Sequence, residues 1–379
     1  MLFCIPFDTI NNQAQERTMS DSHRPESFNN VVGQEDTKKL LQIKINAFKK
    51  TNQNIGHILF LGPPGTGKTT LATVVANEMG VTFHSIMGNR IKSWNDLYNV
   101  IKNINAKDVV FIDEIHCLTE KMQEYLYGIM EDFTYTIEDK SLARPQVMRC
   151  PKFTLIGATT HGGLLNGPFV SRFHNIVNLV PYTDIQLSEL VVNSCYRQYK
   201  LDIPIELANS IARLSNKTPR KANLILSNLK EVAEGTIKEQ VRSSHLTKEL
   251  LANTLKMMGI DPIIGLDRTQ RHYILTLLRE CLPHSNGEDN MPANCKGLGI
   301  VPLATIIKER RETVENYIEP VLLSELEFEV PWKGYIQKGP LVKLTKNGRM
   351  PTQIAYTYVK TLQNFKAKLN WFENENLTM

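Results

Sequence analysis

The chain has 379 residues, 42% of them hydrophobic and 22% charged, with a formal net charge of +5. These proportions suit two or three globular domains and exclude collagen-like, mucin-like and wholly disordered proteins. No apolar run approaches the ~18 residues that a membrane span needs. Residues 1–23 read as a polar arm. The opening MLFCIPF has no cationic stretch before it and no small-residue cleavage site, so it does not read as a secretory signal; Met19 is an alternative start. The six cysteines, at 4, 117, 150, 195, 281 and 295, form no CxxC pair. That scatter points to reduced thiols and a cytoplasmic protein. Cys281, His284 and Cys295 are the nearest approach to a metal cluster, but they lack a fourth ligand and a paired spacing.

Five short apolar strings follow the arm: His57–Leu61, Val81–Ile86, Val109–Ile112, Phe153–Gly157 and Ile176–Val180. They read as buried strands of a parallel sheet. Amphipathic stretches such as Thr69–Glu78 and Trp94–Asn103 lie between them, and this alternation predicts a layered α/β domain over 24–182. After Tyr182 the strand signals stop. Asp184–Tyr199, Ile205–Leu214, Arg220–Val232 and Thr247–Met258 are helical in pattern. Ile205, Ala208, Ile211 and Ala212 keep the spacing of one buried face, so a small helical domain is expected over 183–260. Pro262 and Gly265 then punctuate the chain. A third unit over 261–358 opens with a helix near Asp267–Cys281. A polar loop, two helices and strand-like pieces around Tyr335–Leu344 complete it, and 359–379 reads as a basic tail. Between Pro331 and Lys368 stand eight Lys and Arg and no Asp or Glu, so this segment carries +8 and the rest of the chain −3. Trp332, Tyr335, Tyr356, Tyr358 and Phe365 are interleaved with those cations. Such a patch attracts phosphate backbones; a solvated face fits the charge pattern equally well.

Gly62-Pro63-Pro64-Gly65-Thr66-Gly67-Lys68-Thr69 fits G-x-x-x-x-G-K-[ST]. A strand string enters it and a helical pattern leaves it. Gly62, Gly65 and Gly67 let backbone N–H groups converge on phosphates that side chains would block, and the helix N-terminus adds its positive dipole. Lys68 is expected at the β- and γ-phosphates and Thr69 on Mg²⁺. In Val109-Val110-Phe111-Ile112-Asp113-Glu114, a buried strand delivers two acids at its C-terminal end, where open α/β sheets bind ligands. Asp113 is expected to bind Mg²⁺ and Glu114 to polarise an attacking water. The structural alternative is a pair of acids capping the next helix.

These motifs, with the pieces after them, resemble the AAA+ ATPases. Thr154-Leu155-Ile156-Gly157-Ala158-Thr159-Thr160 resembles sensor 1, with Thr160 as the polar residue that acts. Pro168-Phe169-Val170-Ser171-Arg172-Phe173 resembles the arginine-finger element, and Thr218-Pro219-Arg220 resembles sensor 2. A closer likeness is carried by Arg24-Pro25-Glu26-Ser27-Phe28, Val32-Gly33-Gln34, FIDEIH (111–116), MEDF (130–133), FTLIGATT (153–160) and TPRKAN (218–223). From Arg24 to Tyr358 the chain resembles the RuvB family, ATPases of Holliday-junction branch migration. GLDRTQRHYIL (265–275), ETVENYIEPVL (312–322) and GRMPTQIAY (348–356) resemble that family's winged helix.

The resemblance implies a parallel-sheet P-loop large domain, a helical lid and a C-terminal winged helix, with ATP and Mg²⁺ as cofactors. It implies Arg24 and Tyr182 at the adenine end, and Glu131, Asp132 and Phe133 near the nucleotide. Thr66 and Thr70 belong with the phosphate loop. Arg172 would act on a neighbouring subunit in a homo-oligomer, expected to be a hexameric ring, and Arg220 would sense nucleotide. Hairpin 134–150 would dock a RuvA-type junction-binding protein. Lys343, Lys346 and Arg349 would contact the backbone of double-stranded DNA without regard to sequence. The chain departs from the family at Val170, where the family has a second arginine, at His161, where an arginine follows the two threonines, and at Leu344, in place of a wing arginine; the hairpin is shorter, and the segments at Leu282–Gly299 and Phe328–Lys346 are enlarged. Two other readings use the same motifs: a different AAA+ task, such as clamp loading or protein remodelling, and a nucleotide-switched DNA-binding regulator. The basic winged helix weighs against the first; Asp113, Glu114 and Arg172 together weigh against the second.

Overall fold

In the computed structural model the apolar strings become strands of one parallel sheet. The strands are β1 (Ile58–Leu61), β2 (Phe83–Met87), β3 (Val109–Asp113), then a separate antiparallel hairpin β4 (Thr134–Ile137) and β5 (Gln146–Arg149), then β6 (Thr154–Thr159) and β7 (Asn175–Asn178). Their order across the sheet is β2-β3-β6-β1-β7, every pairing parallel. The structure describes residues 24–137, 146–281, 297–330 and 334–369. The expected arm 1–23, residues 138–145 of the expected hairpin, most of the 282–299 loop, Trp332, Lys333 and the end of the tail lie outside them. So do His284 and Cys295 of the candidate metal cluster. The chain forms two units, one ending at Pro181 and one starting at Tyr182.

Strand alternation sorts the core of the first unit into two layers, because successive side chains on a strand point to opposite faces. Ile58, Phe60, Val109, Phe111, Ile156 and Ala158 face helices α1 (Glu35–Thr51) and α2 (Lys68–Met79), which contribute Leu41, Ile45, Phe48, Leu71, Val74 and Val75. Leu59, Val110, Ile112 and Leu155 face the other way. They pack on α3 (Trp94–Ile101), α4 (Glu120–Asp132) and the short α5 (Gly167–Val170). Each buried Leu, Ile or Phe is worth about 1.5–3 kcal/mol relative to exposure. His57, at the foot of β1, is buried on the α4 side of the sheet, beside Phe133 and Phe153. Its Nε2 donates to the Met130 carbonyl at 3.0 Å, and its Nδ1 accepts from the Leu155 amide at 2.9 Å. Burial lowers its pKa to about 4, which matches a ring that uses one nitrogen as acceptor.

The second unit begins with four helices, α6 (Asp184–Tyr199), α7 (Ile205–Leu214), α8 (Pro219–Thr236) and α9 (Lys248–Met258). Helix α6 starts at a capping box between Thr183 and Gln186 and stops where Lys200 turns left-handed at φ 57°; both signals are local. Helices α10 (Arg268–Cys281) and α11 (Ile300–Ile307) follow. A helical run from Arg311 then comprises α12 (Arg311–Thr313), a π segment over Val314–Ile318 and α13 (Glu319–Leu322). Two hairpins, β8 (Leu326–Val330) with β9 (Tyr335–Gly339) and β10 (Val342–Thr345) with β11 (Gly348–Pro351), precede α14 (Gln353–Leu369). These elements give the chain its fold class: a parallel-sheet P-loop α/β domain, a helical lid and a C-terminal winged helix. Helix α14 runs through Tyr358, where the sequence suggested that a tail begins, with Val359 and Leu362 buried.

The Pro262–Gly265 punctuation is a buried polar knot. The Asp261 carboxylate accepts from the Ile263 and Ile264 amides at 2.8 and 2.9 Å and also from Leu266. Arg271 donates to the carbonyls of Gly259 and Leu266 at 2.9 and 2.7 Å, and Lys221 donates to the Gly265 carbonyl. Gly265 has φ +75°, and a Cβ there would lie 2.1 Å from the Leu214 oxygen. Only glycine fits that backbone and that contact. Lid and winged-helix residues share one core, from Leu187 through Tyr273 to Leu362.

Candidate functional site

Sheet order builds the site. Strand β6 lies between β1 and β3, with Leu61 opposite Thr159 and Ile112 opposite Gly157. The C-terminal ends of three strands therefore bring together the loop after Leu61, the acids after Ile112 and the threonines at 159 and 160. Gly65 and Gly67 take φ +80° and +94°, a region that side-chain-bearing residues avoid. Gly67 is the N-cap of α2, so that helix opens its amides toward the loop. The Lys68 ammonium donates to the carbonyls of Gly62 and Pro63 at 2.7 and 2.9 Å, which holds the cation at the loop. Thr66, 1% exposed, braces the loop from within by donating to Pro63 O at 2.9 Å. Thr70 is half-buried in the first turn of α2.

The two expected metal ligands meet: Thr69 Oγ1 donates to Asp113 Oδ2 at 3.3 Å. The other Asp113 oxygen accepts from the Glu114 amide at 3.0 Å, and Glu114 itself is left-handed at φ +48°. This turn aims the Glu114 carboxylate at the end of β6. Thr160 Oγ1 donates to Glu114 Oε2 at 3.3 Å, and His116 Nδ1 lies 3.2 Å from the same oxygen. His116 Nδ1 is also 2.8 Å from Thr159 Oγ1, and His161 Nδ1 is 2.7 Å from Thr160 Oγ1. Burial works against the charge on Glu114. His116, Lys68 and Thr160 outweigh it and hold the carboxyl below the ordinary glutamate range. A carboxylate that is ionised at neutral pH and flanked by a hydroxyl is equipped to take up a proton from water. His116, the last residue of the FIDEIH string, and His161, which follows the two threonines, are functional candidates that emerge only from this geometry.

Arg172 is held on α4. Its Cζ sits 4.0 Å from the Tyr127 ring centroid, Nη2 donates to the Tyr127 hydroxyl, and Nη2 lies 3.0 Å from Glu131 Oε2. The structure thus brings Glu131 to Arg172. Asp132 is exposed at the end of α4. Phe133 is that helix's left-handed C-cap, and its ring stands near His57 and Phe153 at 5.9 and 6.1 Å. Arg24 is half-buried at the start of a segment whose Glu26 and Phe28 backbones bond Asn77 and Glu78, at the far end of α2 from Lys68. Gln34, not assigned from sequence, exchanges two bonds with the Val180 backbone, at 2.7 and 3.3 Å. Tyr182 and Arg220 belong to the second unit. Tyr182 is 5% exposed within that unit's core, and Arg220 is exposed in the first turn of α8.

In the wing, Lys343 and Lys346 are exposed on the β10–β11 hairpin, as is Leu344. Arg349 differs from them. Its Nε and Nη2 donate to Glu319 at 2.8 and 3.2 Å, and Tyr273 donates its hydroxyl to the same carboxylate at 2.8 Å. The Glu319 side chain is 4% exposed and that of Arg349 17%. The hydrogen bonds to Glu319 raise the Arg349 pKa. The guanidinium therefore ties β11 to α13, and the exposed cations of this hairpin are the two lysines. On the other hairpin, β4–β5, Val147 and Met148 are exposed.

Residues 23–179 match the family model of the Holliday junction DNA helicase RuvB P-loop domain. The Holliday junction branch migration complex subunit RuvB of Myxococcus xanthus is 35% identical over 341 residues, 89% of this chain and 90% of the relative. The solved structure of the Thermotoga maritima RuvB Holliday junction branch migration motor superposes with a TM-score of 0.71 at 29% identity, covering 89% of this chain and 98% of that one.

Proposed function

The chain belongs to the RuvB family, and on that premise we propose that it is an ATP-driven motor that moves double-stranded DNA to drive Holliday-junction branch migration. It is a nucleotide-binding P-loop ATP hydrolase. The observation that best supports turnover, as opposed to nucleotide binding alone, is the placement of the Glu114 carboxylate at the strand end, 3.3 Å from the Thr160 hydroxyl. In hydrolysis a water oxygen attacks the γ-phosphorus and the bond to the β–γ bridging oxygen breaks, giving ADP and phosphate. Glu114 takes a proton from that water, and Thr160 orients it. Lys68 and the α2 amides stabilise charge on the phosphate oxygens. The Thr69 hydroxyl and Asp113 carboxylate are hard oxygen donors close to each other, which suits Mg²⁺. When bound there, Mg²⁺ supplies neutralisation of charge on the β- and γ-phosphate oxygens.

Arg172 acts on the γ-phosphate of the neighbouring subunit, so hydrolysis depends on assembly into a ring, which we take to be hexameric. Arg220 reads the nucleotide from the lid (183–260) and changes the angle between the lid and the large domain (24–182). The winged helix (261–358) carries that motion to DNA. Lys343 and Lys346 grip phosphates with little sequence preference, and Arg349 anchors the hairpin that bears them. Arg24 and Tyr182 hold the adenine end. The exposed Val147 and Met148 support docking of a RuvA-type partner on hairpin 134–150. Among the described residues no helix is long and apolar enough to cross a membrane, and the motor is assigned to the cytoplasm. The test is steady-state ATP hydrolysis: Lys68→Ala and Glu114→Gln abolish turnover, and Glu114→Gln still binds ATP. Normal hydrolysis by either variant would overturn the assignment.

A further inference from the structure

We propose that Tyr127 and Glu131 are positioning residues that hold Arg172 ready for a neighbouring subunit's nucleotide; this rests on the reading of Arg172 as acting in trans. One face of α4 follows the whole element that carries Arg172. Gln123, Tyr127 and Glu131 are spaced four apart, and residues so spaced line one side of a helix. Gln123, 3% exposed, accepts from the amide of Asn166, the N-cap of α5, at 3.2 Å, and its own amide donates to Leu118 O at 3.1 Å. This fixes the backbone at the start of the element. Phe169 and Phe173, 2% and 5% exposed, pack edge to face at 5.3 Å on either side of Arg172 and fix its end.

The side chain is then fixed by the next two turns of α4. The Tyr127 ring lies under the guanidinium at 4.0 Å, its hydroxyl accepts from Nη2, and Glu131 pairs with the same nitrogen at 3.0 Å. A cation over an aromatic face and a charge-assisted hydrogen bond both restrict direction more than a loose surface ion pair does. Arg172 nevertheless stays 28% exposed and Glu131 47%, so the supported group remains at the surface. An unsupported arginine samples many rotamers and has to be ordered at each encounter. Tyr127 and Glu131 do that ordering within the subunit that donates the arginine, so losing them shows at the neighbour's active site. The subunit's own nucleotide binding is spared.

The test mixes subunits of the full-length protein. Alone, Tyr127→Leu lowers kcat for ATP about 10- to 100-fold, the scale of a small misplacement of a reacting group. Its KM stays within about twofold, because that parameter tracks ground-state binding when chemistry is slow. Tyr127→Phe keeps the ring face and recovers most of the loss. Glu131→Gln, at an exposed position, gives the same pattern in smaller degree. Each is then titrated with Glu114→Gln subunits, which carry an inactive site and an intact Arg172, with Arg172→Ala treated in parallel. Recovery of activity by both Tyr127→Leu and Arg172→Ala on mixing supports the proposal. If Arg172→Ala recovers and Tyr127→Leu does not, Tyr127 serves its own site and the proposal fails while the trans reading stands. If neither recovers, the trans reading fails and takes the proposal with it. An unchanged kcat for both Tyr127→Leu and Glu131→Gln also overturns it.

Discussion

Arg349→Ala separates two roles that one residue type commonly plays in a DNA-binding wing. The family resemblance casts Arg349 as a phosphate contact, whereas the structure gives its guanidinium two hydrogen bonds to a carboxylate that is 4% exposed and already accepts one from Tyr273. Removing one partner of a buried pair costs about 3–5 kcal/mol, because the remaining charge is left uncompensated. Arg349 is 17% exposed, so water partly replaces it, and Tyr273 stays. The expected loss is thus nearer about 2–3 kcal/mol. For a unit of this size that is a fall of roughly 4–12 °C in the unfolding temperature. Thermal unfolding followed by circular dichroism reads it, and hydrogen exchange at the β11 amides locates it. Arg349→Met with Glu319→Leu removes the buried charge as well and recovers most of the stability. Arg349→Ala at wild-type stability, with the salt dependence of DNA binding weakened by one ion, would refute this reasoning and return Arg349 to the phosphate backbone.

Lys343→Ala and Lys346→Ala leave stability within about 0.5 kcal/mol. Each weakens DNA binding about equally on unrelated sequences and reduces the slope of log K against log salt by about one; an unchanged slope in both excludes them as phosphate contacts. His57 makes a pH prediction. Its folded pKa, about 4, lies below the ordinary histidine value of about 6.5. Its contribution is therefore complete above that value and is lost as pH falls through about 4, on the order of 3 kcal/mol in all. His174, whose ring centroid is 5.9 Å away, adds to the lowering. Stability measured from pH 7 to 4 falls less steeply in His57→Gln than in wild type; parallel profiles would contradict the neutral, buried ring.

What the sequence made legible was local. The five strand strings carry runs of apolar side chains that only a two-faced sheet can bury, and they match the observed strands to within a few residues. Helix α6 fills its expected span, Asp184–Tyr199, and it starts at a local capping box between Thr183 and Gln186. Helix α1 was not read. Its buried Thr37, Leu41, Ile45 and Phe48 are diluted by five lysines, Lys38, Lys39, Lys44, Lys49 and Lys50. Strand β8 lies before the strand-like pieces expected around Tyr335–Leu344; its Glu327 and Glu329 are exposed while Leu326, Phe328 and Val330 are buried. In the site, the phosphate loop and the paired acids are contiguous motifs. The partners of Glu114 and Arg172 are not. Thr160 meets Glu114 across 46 residues, Tyr127 meets Arg172 across 45, and Glu319 meets Arg349 across 30. Such pairings depend on strand order and helix packing, which periodicity does not encode. The Tyr127-Glu131 spacing was visible as an i, i+4 pair, but its purpose becomes readable only once α5 is laid against α4.

The central claim, a motor that converts ATP hydrolysis into movement of junction DNA, is tested most directly by migration of a synthetic four-way junction. The full-length protein is assayed with ATP, with and without a RuvA-type partner, with Arg172→Ala as the blank. The account predicts ATP-dependent strand exchange by the wild type in at least one of those conditions and none by Arg172→Ala. Hydrolysis of ATP without migration in either condition would contradict it.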